Sequence, residues 1–197
     1  MNDMSILLGA VGIGLAGGGG LVAWDRWHAP VGATATADSE INARNPIAPA
    51  LAGKLECSFP NAASRTCKAL ASYSGSAQFG YGSEGIMYLG PTPAGPATMR
   101  ISASAHIKGD TICSFLDKKD LMQAKISVGG DTVAMDEAAF NQIAQAMEPM
   151  LGKEICQRYV AAGSGIVGKF TVNGRYDPAL DTPIAWVAPT DGYHVGP

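Results

Sequence analysis

Beyond position 53 the side chains able to do chemistry are few: Cys57, Cys67, Cys113 and Cys156, two histidines, His106 and His194, and the aspartates Asp177, Asp181 and Asp191. The cysteines are even in number, with no Cys-x-x-Cys and no histidine beside them in sequence to complete a zinc site, so they read as two disulfides. Four cysteines admit three pairings. The pairing expected is Cys57–Cys67, closing a short loop around Pro60-Asn61, with Cys113–Cys156 stapling a helix-bearing segment. The alternative is four reduced thiols buried as small hydrophobes. Disulfides persist in an oxidising space, which puts the domain in the periplasm or outside the cell.

The histidines offer less. His106 falls on the polar face of an alternating stretch and His194 lies three residues from the C-terminus, so both read as surface residues. Asp177-Pro178, Asp181-Thr182-Pro183 and Asp191-Gly192 each set an aspartate in a turn context, where the side chain bonds its own backbone. A carboxylate pair would need two of them brought together. Gly163-Ser164-Gly165 reads as a turn, and no His-Glu-x-x-His, Gly-x-Ser-x-Gly, Walker or EF-hand pattern occurs. The sequence therefore assigns no catalytic, cofactor-binding or metal-binding residue. Trp186 and Tyr193, near a proline-rich C-terminus, are the candidates for an aromatic partner-binding patch.

Gly12 to Gly17 fits Gly-x-Gly-x-x-Gly, but a dinucleotide turn must open a helix, and Gly18, Gly19 and Gly20 follow instead. Met4 to Trp24 carries no charge and spans about 30 Å as a helix, the thickness of a bilayer core. It reads as a transmembrane segment. Trp24 and Trp27, flanking Arg26, suit the lipid interface. Ala10, Gly14 and Gly18 recur on one face, with Ala16 and Gly20 alongside, the small-residue spacing that lets membrane helices pack closely. A cleavable signal peptide is the alternative; the apolar stretch is long for one and lacks a basic n-region. The basic residues Arg26 and Arg44 follow the segment, which by the positive-inside rule favours the opposite orientation. The cysteines decide for export.

With 47% hydrophobic residues, the 197-residue chain can bury one ordinary core. A net charge of −3, without a basic stripe, excludes nucleic acid as a partner class. Abundant Ala and Gly with scarce Lys go with GC-rich bacterial coding. Three regions follow: an anchor over 1–27, a flexible linker rich in Ala, Thr, Pro and Gly over 28–53, and an exported domain over 54–197.

In the domain, Leu55–Phe59, Cys67–Tyr73, Gly85–Leu89, Thr98–Ile107, Ile155–Val160, Ile166–Val172 and Ile184–Val187 read as strands, and Ile126–Val133 as a hairpin. Met99, Ile101, Ala103, Ala105 and Ile107 alternate with polar neighbours, the mark of a strand with one wet face. Asp117–Ala124 reads as a short helix. Asp136–Leu151 reads as a long amphipathic one, capped by Asp136, ended by Gly152 and disturbed by Pro149. The expected fold class is α+β, an antiparallel sheet with one long helix on a face.

The first functional expectation is an accessory subunit, single-pass in the inner membrane, whose glycine-rich helix packs into a larger complex while its periplasmic domain contacts protein partners. Self-association through the same face is a variant of it. The alternative is a periplasmic small-molecule-binding or hydrolytic domain for which the segment is only a tether.

Overall fold

A computed structural model describes residues 45–197. The expected membrane segment, its positions Ala10, Gly14, Ala16, Gly18 and Gly20, and Trp24 and Trp27 lie outside the described residues. Helix α1 (Ala48–Leu51) leads into β1 (Leu55–Ser58), β2 (Thr66–Cys67), β3 (Ala69–Ser76), β4 (Gly80–Thr92), β5 (Gly95–Lys108) and β6 (Thr111–Phe115). An insertion follows, with α2 (Lys118–Met122), β7 (Lys125–Val128), β8 (Asp131–Val133) and α3 (Glu137–Met147). The chain ends with β9 (Glu154–Ala162), β10 (Gly165–Val172), β11 (Arg175–Tyr176), β12 (Thr182–Val187) and β13 (His194–Val195).

Eight strands close into an antiparallel barrel in the order β1-β3-β4-β5-β6-β9-β10-β12, with β12 returning to β1. Each barrel strand neighbours the previous one in the chain, so this is an up-and-down barrel with insertions. The α+β expectation is thereby overturned: the described residues are mostly strand, their helices are short, and no long amphipathic helix packs on an open sheet. The helix expected to reach Leu151 stops at Met147. Pro149 has no N–H to continue the ladder, and the chain turns through Met150 N–H to Met147 O before Gly152, at φ 70°, leaves in the left-handed region. Strand β6, around Cys113, was not expected at all.

Strand parity explains where the core sits. Partners across antiparallel strands share a face, so Glu56, Tyr73, Tyr81, Met99, Ile101, Ala105, Ile112, Gln157, Tyr159, Ile184 and Trp186 all point into the barrel. The insertion packs Leu121, Ile126, Val128, Ile143 and Met147 against Leu89, Ala97 and Met99 of the long β4–β5 hairpin, with Met87 and Ile101 beside them. Asp117 and Asp136 cap its two helices through the N–H groups of Asp120 and Ala139. On the barrel's outer wall a second small core joins Cys57, Cys67 and Val187 to Leu55, Leu70, Ala185 and Tyr193, because the C-terminal β13 lies parallel to β2 across that wall.

The two disulfides are Cys57–Cys67 and Cys113–Cys156, the pairing expected from the sequence. The second staples adjacent strands rather than a helix, its cysteines facing each other across β6 and β9. Residues 45–52, the last part of the stretch expected to be a linker, belong to the folded body. Pro46 and Ile47 are fully buried, and Ile47 with Ala50 packs on Tyr73, Tyr81, Tyr159 and Trp186.

Candidate functional site

A carboxylate inside the barrel is the feature that departs most from ordinary packing. Glu56 is 4% exposed, on the inward face of β1. Gln157 Nε2 donates to its Oε1 at 2.8 Å. The hydroxyls of Tyr73 and Tyr159 donate to Oε2 at 2.9 and 2.5 Å. Three donors from β3 and β9 thus converge on one acid from β1. Removal from water raises the Glu56 carboxyl above its ordinary 4.5, and the bonds from Tyr159, Gln157 and Tyr73 offset that only in part. Burial, then the charge of Glu56, holds both tyrosine hydroxyls well above 10.0, so they remain donors.

Two further residues shape this group. Gly168 of β10 lies between the strands carrying Gln157 and Glu56, and a Cβ there would stand 2.6 Å from Gln157 Nε2, so its bare backbone makes room for the clamp. Trp186 faces Glu56 across β1 and β12 and packs 5.3 Å from the Tyr159 ring. Its indole N–H is buried with no hydrogen-bond partner among the described residues. Ile47 and Ala50 share a buried cluster with Ala105 and Ile112, against which Tyr73, Tyr81, Tyr159 and Trp186 pack.

Past Glu56 the inward wall is built from small side chains. Ser58, Ala69, Ala71, Ser83, Gly85, Ala103 and Ser114 all point inward by register, and each retains partial exposure. Inward residues of a filled barrel would be sealed by one another; here they are not, and a Cβ at Gly85 would meet nothing within 4 Å.

The aspartates of the last third do not converge. Asp177 caps Ala179 N–H and Asp191 accepts from Ala188 N–H, both in local turns as expected. Asp181 instead joins Lys169 and Tyr176 on the outer wall, at 2.8 and 2.6 Å. Partial burial pushes its carboxyl up, but bonds from Lys169 and Tyr176 outweigh that and hold it below the usual range. Its Oδ1 is buried and unpaired.

Trp186 and Tyr193 form no common patch. Trp186 points into the barrel and Tyr193 covers the outer wall over Cys57 and Cys67. His194 is ordered in β13, and its N–H bonds Arg65 O. His106, on the wet face as expected, stands 3.3 Å from Glu154 beside Cys113.

Glu56 was missed in the sequence because Leu55–Phe59 is legible there only as a short strand, in which Leu55, Cys57 and Phe59 alternate with it. Cys57 is buried too, but on the outer wall beneath β2 and β13. The one available signal was an acid in an apolar strand with no turn residue beside it. Comparison with known proteins returns no match to a family model, to a curated protein or to a solved structure.

Proposed function

We propose that this is a ligand-binding barrel, working as an exported domain tethered at or released from the inner membrane. Its ligand is a small molecule with an apolar body and at least one hydrogen-bond acceptor. The observation that carries this reading is the inward wall of small, part-exposed side chains beside a built polar cluster, since concave, mostly apolar space with a few converging polar groups is the usual form of a small-molecule site. Trp186 N–H is the donor such an acceptor would meet, and Glu56 fixes the tyrosines and Gln157 around it. The two disulfides support the exported placement. The accessory-subunit expectation draws on residues 4–24, outside the described residues, and the barrel interior supplies the more specific reading.

The test is binding of N-phenyl-1-naphthylamine, a neutral apolar fluorophore, to the full chain, together with native mass spectrometry of the purified protein. Fluorescence should rise saturably, with one probe per chain. Ala103→Trp, which sets a bulky ring among the small inward side chains, should abolish the rise while leaving the near-ultraviolet dichroism of a folded protein. A chain that neither binds the probe nor retains any small molecule refutes the reading.

A further inference from the structure

The outer wall holds a second cluster that the barrel interior does not involve. His106 on β5, Cys113 on β6 and Cys156 on β9 lie in one row across three neighbouring strands, in direct register. Glu154 lies two residues before Cys156 on the same face. The His106 imidazole, the Cys113 sulfur and the Glu154 carboxylate all fall within 4.8 Å of one another. Cys113 and Cys156 are bonded to each other, so the sulfurs are not free to ligate in this state.

We propose that this row is a latent zinc-class metal site that becomes competent when Cys113–Cys156 is reduced, with His106, Cys113, Cys156 and Glu154 as its four ligands. Two thiolates, an imidazole and a carboxylate oxygen are the donor types that tetrahedral zinc takes. Bond lengths of about 2.0 to 2.3 Å place tetrahedral ligands about 3.3 to 3.8 Å apart. His106 Nε2 and Glu154 Oε1 already stand 3.3 Å apart, at that spacing. The Cys113 sulfur already lies in that group; once the bond is gone the Cys156 sulfur, bonded to it but outside the group, has to swing toward the imidazole and the carboxylate by rotation about its own side chain. His106 is half exposed, so a metal reaches the row from solvent. Cys113 and Cys156 are both buried, at 0% and 6% exposure. Lys108 Nζ bonds the other Glu154 oxygen, Oε2, at 3.3 Å and orients the carboxylate without occupying Oε1. Thr111 Oγ1 donates to Lys108 O at 2.7 Å and sits 3.5 Å from Cys113 Sγ.

The chemistry balances with a dithiol as reductant. Its two thiols are oxidised to a disulfide as the Cys113–Cys156 bond takes up two electrons and two protons to give two thiols. The divalent ion then displaces both thiol protons to solvent and binds the thiolates.

The test uses the full chain, before and after reduction with a phosphine that brings no thiol of its own, titrated with Co(II) as the probe. The expected result is one Co(II) per chain in the reduced protein only, with tetrahedral d–d bands and sulfur-to-cobalt charge transfer, displaced by Zn(II). His106→Ala and Glu154→Gln, both at surface positions, should each weaken binding by at least about tenfold, no less than loss of an outer-shell partner costs. Absence of binding with the thiols shown to be reduced, including through loss of the fold, overturns the proposal. So does equal affinity in His106→Ala, which would assign the signal to Cys57 and Cys67.

Discussion

Replacing Glu56 by Gln should change the pH dependence of stability in one direction. Burial raises the Glu56 carboxyl above 4.5, its ordinary value, so the folded chain holds this proton to higher pH than the unfolded chain does. Stability tied to that proton is complete below pH 4.5, falls as pH rises through the folded value, and then levels. Within that window the slope approaches about 1.4 kcal/mol per pH unit for a single proton. Gln cannot titrate, and its amide oxygen keeps an acceptor for the two tyrosines while its NH2 takes the place of the oxygen that Gln157 bonds, where an amide flip of Gln157 presents an oxygen to it. Urea unfolding of both proteins, from pH 4.5 upward in half-unit steps, should therefore show the variant gaining on the natural chain as pH rises. Both tyrosines stay protonated throughout, because burial and Glu56 hold them well above 10.0. Glu56→Leu gives the companion magnitude. It strands three buried donors, Tyr73, Tyr159 and Gln157, each worth about 1 kcal/mol or more, for a loss of at least about 3 kcal/mol. A difference between the Gln variant and the natural protein that stays flat with pH would refute the reasoning, since Glu56 would then be ionised alike in both states.

Three further outcomes follow from the same geometry. Gly168→Ala places a methyl 2.6 Å from Gln157 Nε2 and should cost about 1–3 kcal/mol in urea unfolding, with little further loss when combined with Gln157→Ala. Ile47→Ala, at a fully buried position, should cost about 2–5 kcal/mol and speed solvent quenching of Trp186 fluorescence in a variant whose Trp24 and Trp27 are Phe. Opening Cys57–Cys67, with a sequence separation of 10, should lower stability by about 3 kcal/mol, and opening Cys113–Cys156, with a separation of 43, by about 4 kcal/mol, both read as shifts in the urea midpoint of Cys→Ala pairs.

Local features were legible in the sequence. The alternation over Thr98–Ile107 marks the inward face of β5 correctly, and the expected disulfide pairs are the ones found, although Cys113–Cys156 joins adjacent strands and not a helix-bearing segment. What was hidden is long-range. Closure pairs Leu55 with Val187, and no local pattern announces that two strands so distant in sequence will meet. Parity in β1 was hidden for a related reason: β13, near the C-terminus, covers the outer wall, so both faces of Leu55–Ser58 are buried and alternation no longer tells inside from outside. Glu56 has donors only because strands β3 and β9 come round to it, a convergence that exists in the barrel and nowhere in the linear order.

The seam between the first and last barrel strands also governs when this chain can fold. A ribosome or translocation channel releases the β1 segment first and β12 almost last, so until Thr182–Val187 emerges the nascent sheet carries two unpaired edges and cannot shut. Contacts that close so late in the chain make folding slow. If the chain is exported unfolded, as proposed, that delay keeps a closed barrel from forming in the channel before Thr182–Val187 has crossed. The same interval leaves both edges open to pairing with other chains, and a holding chaperone would have its period of greatest use there.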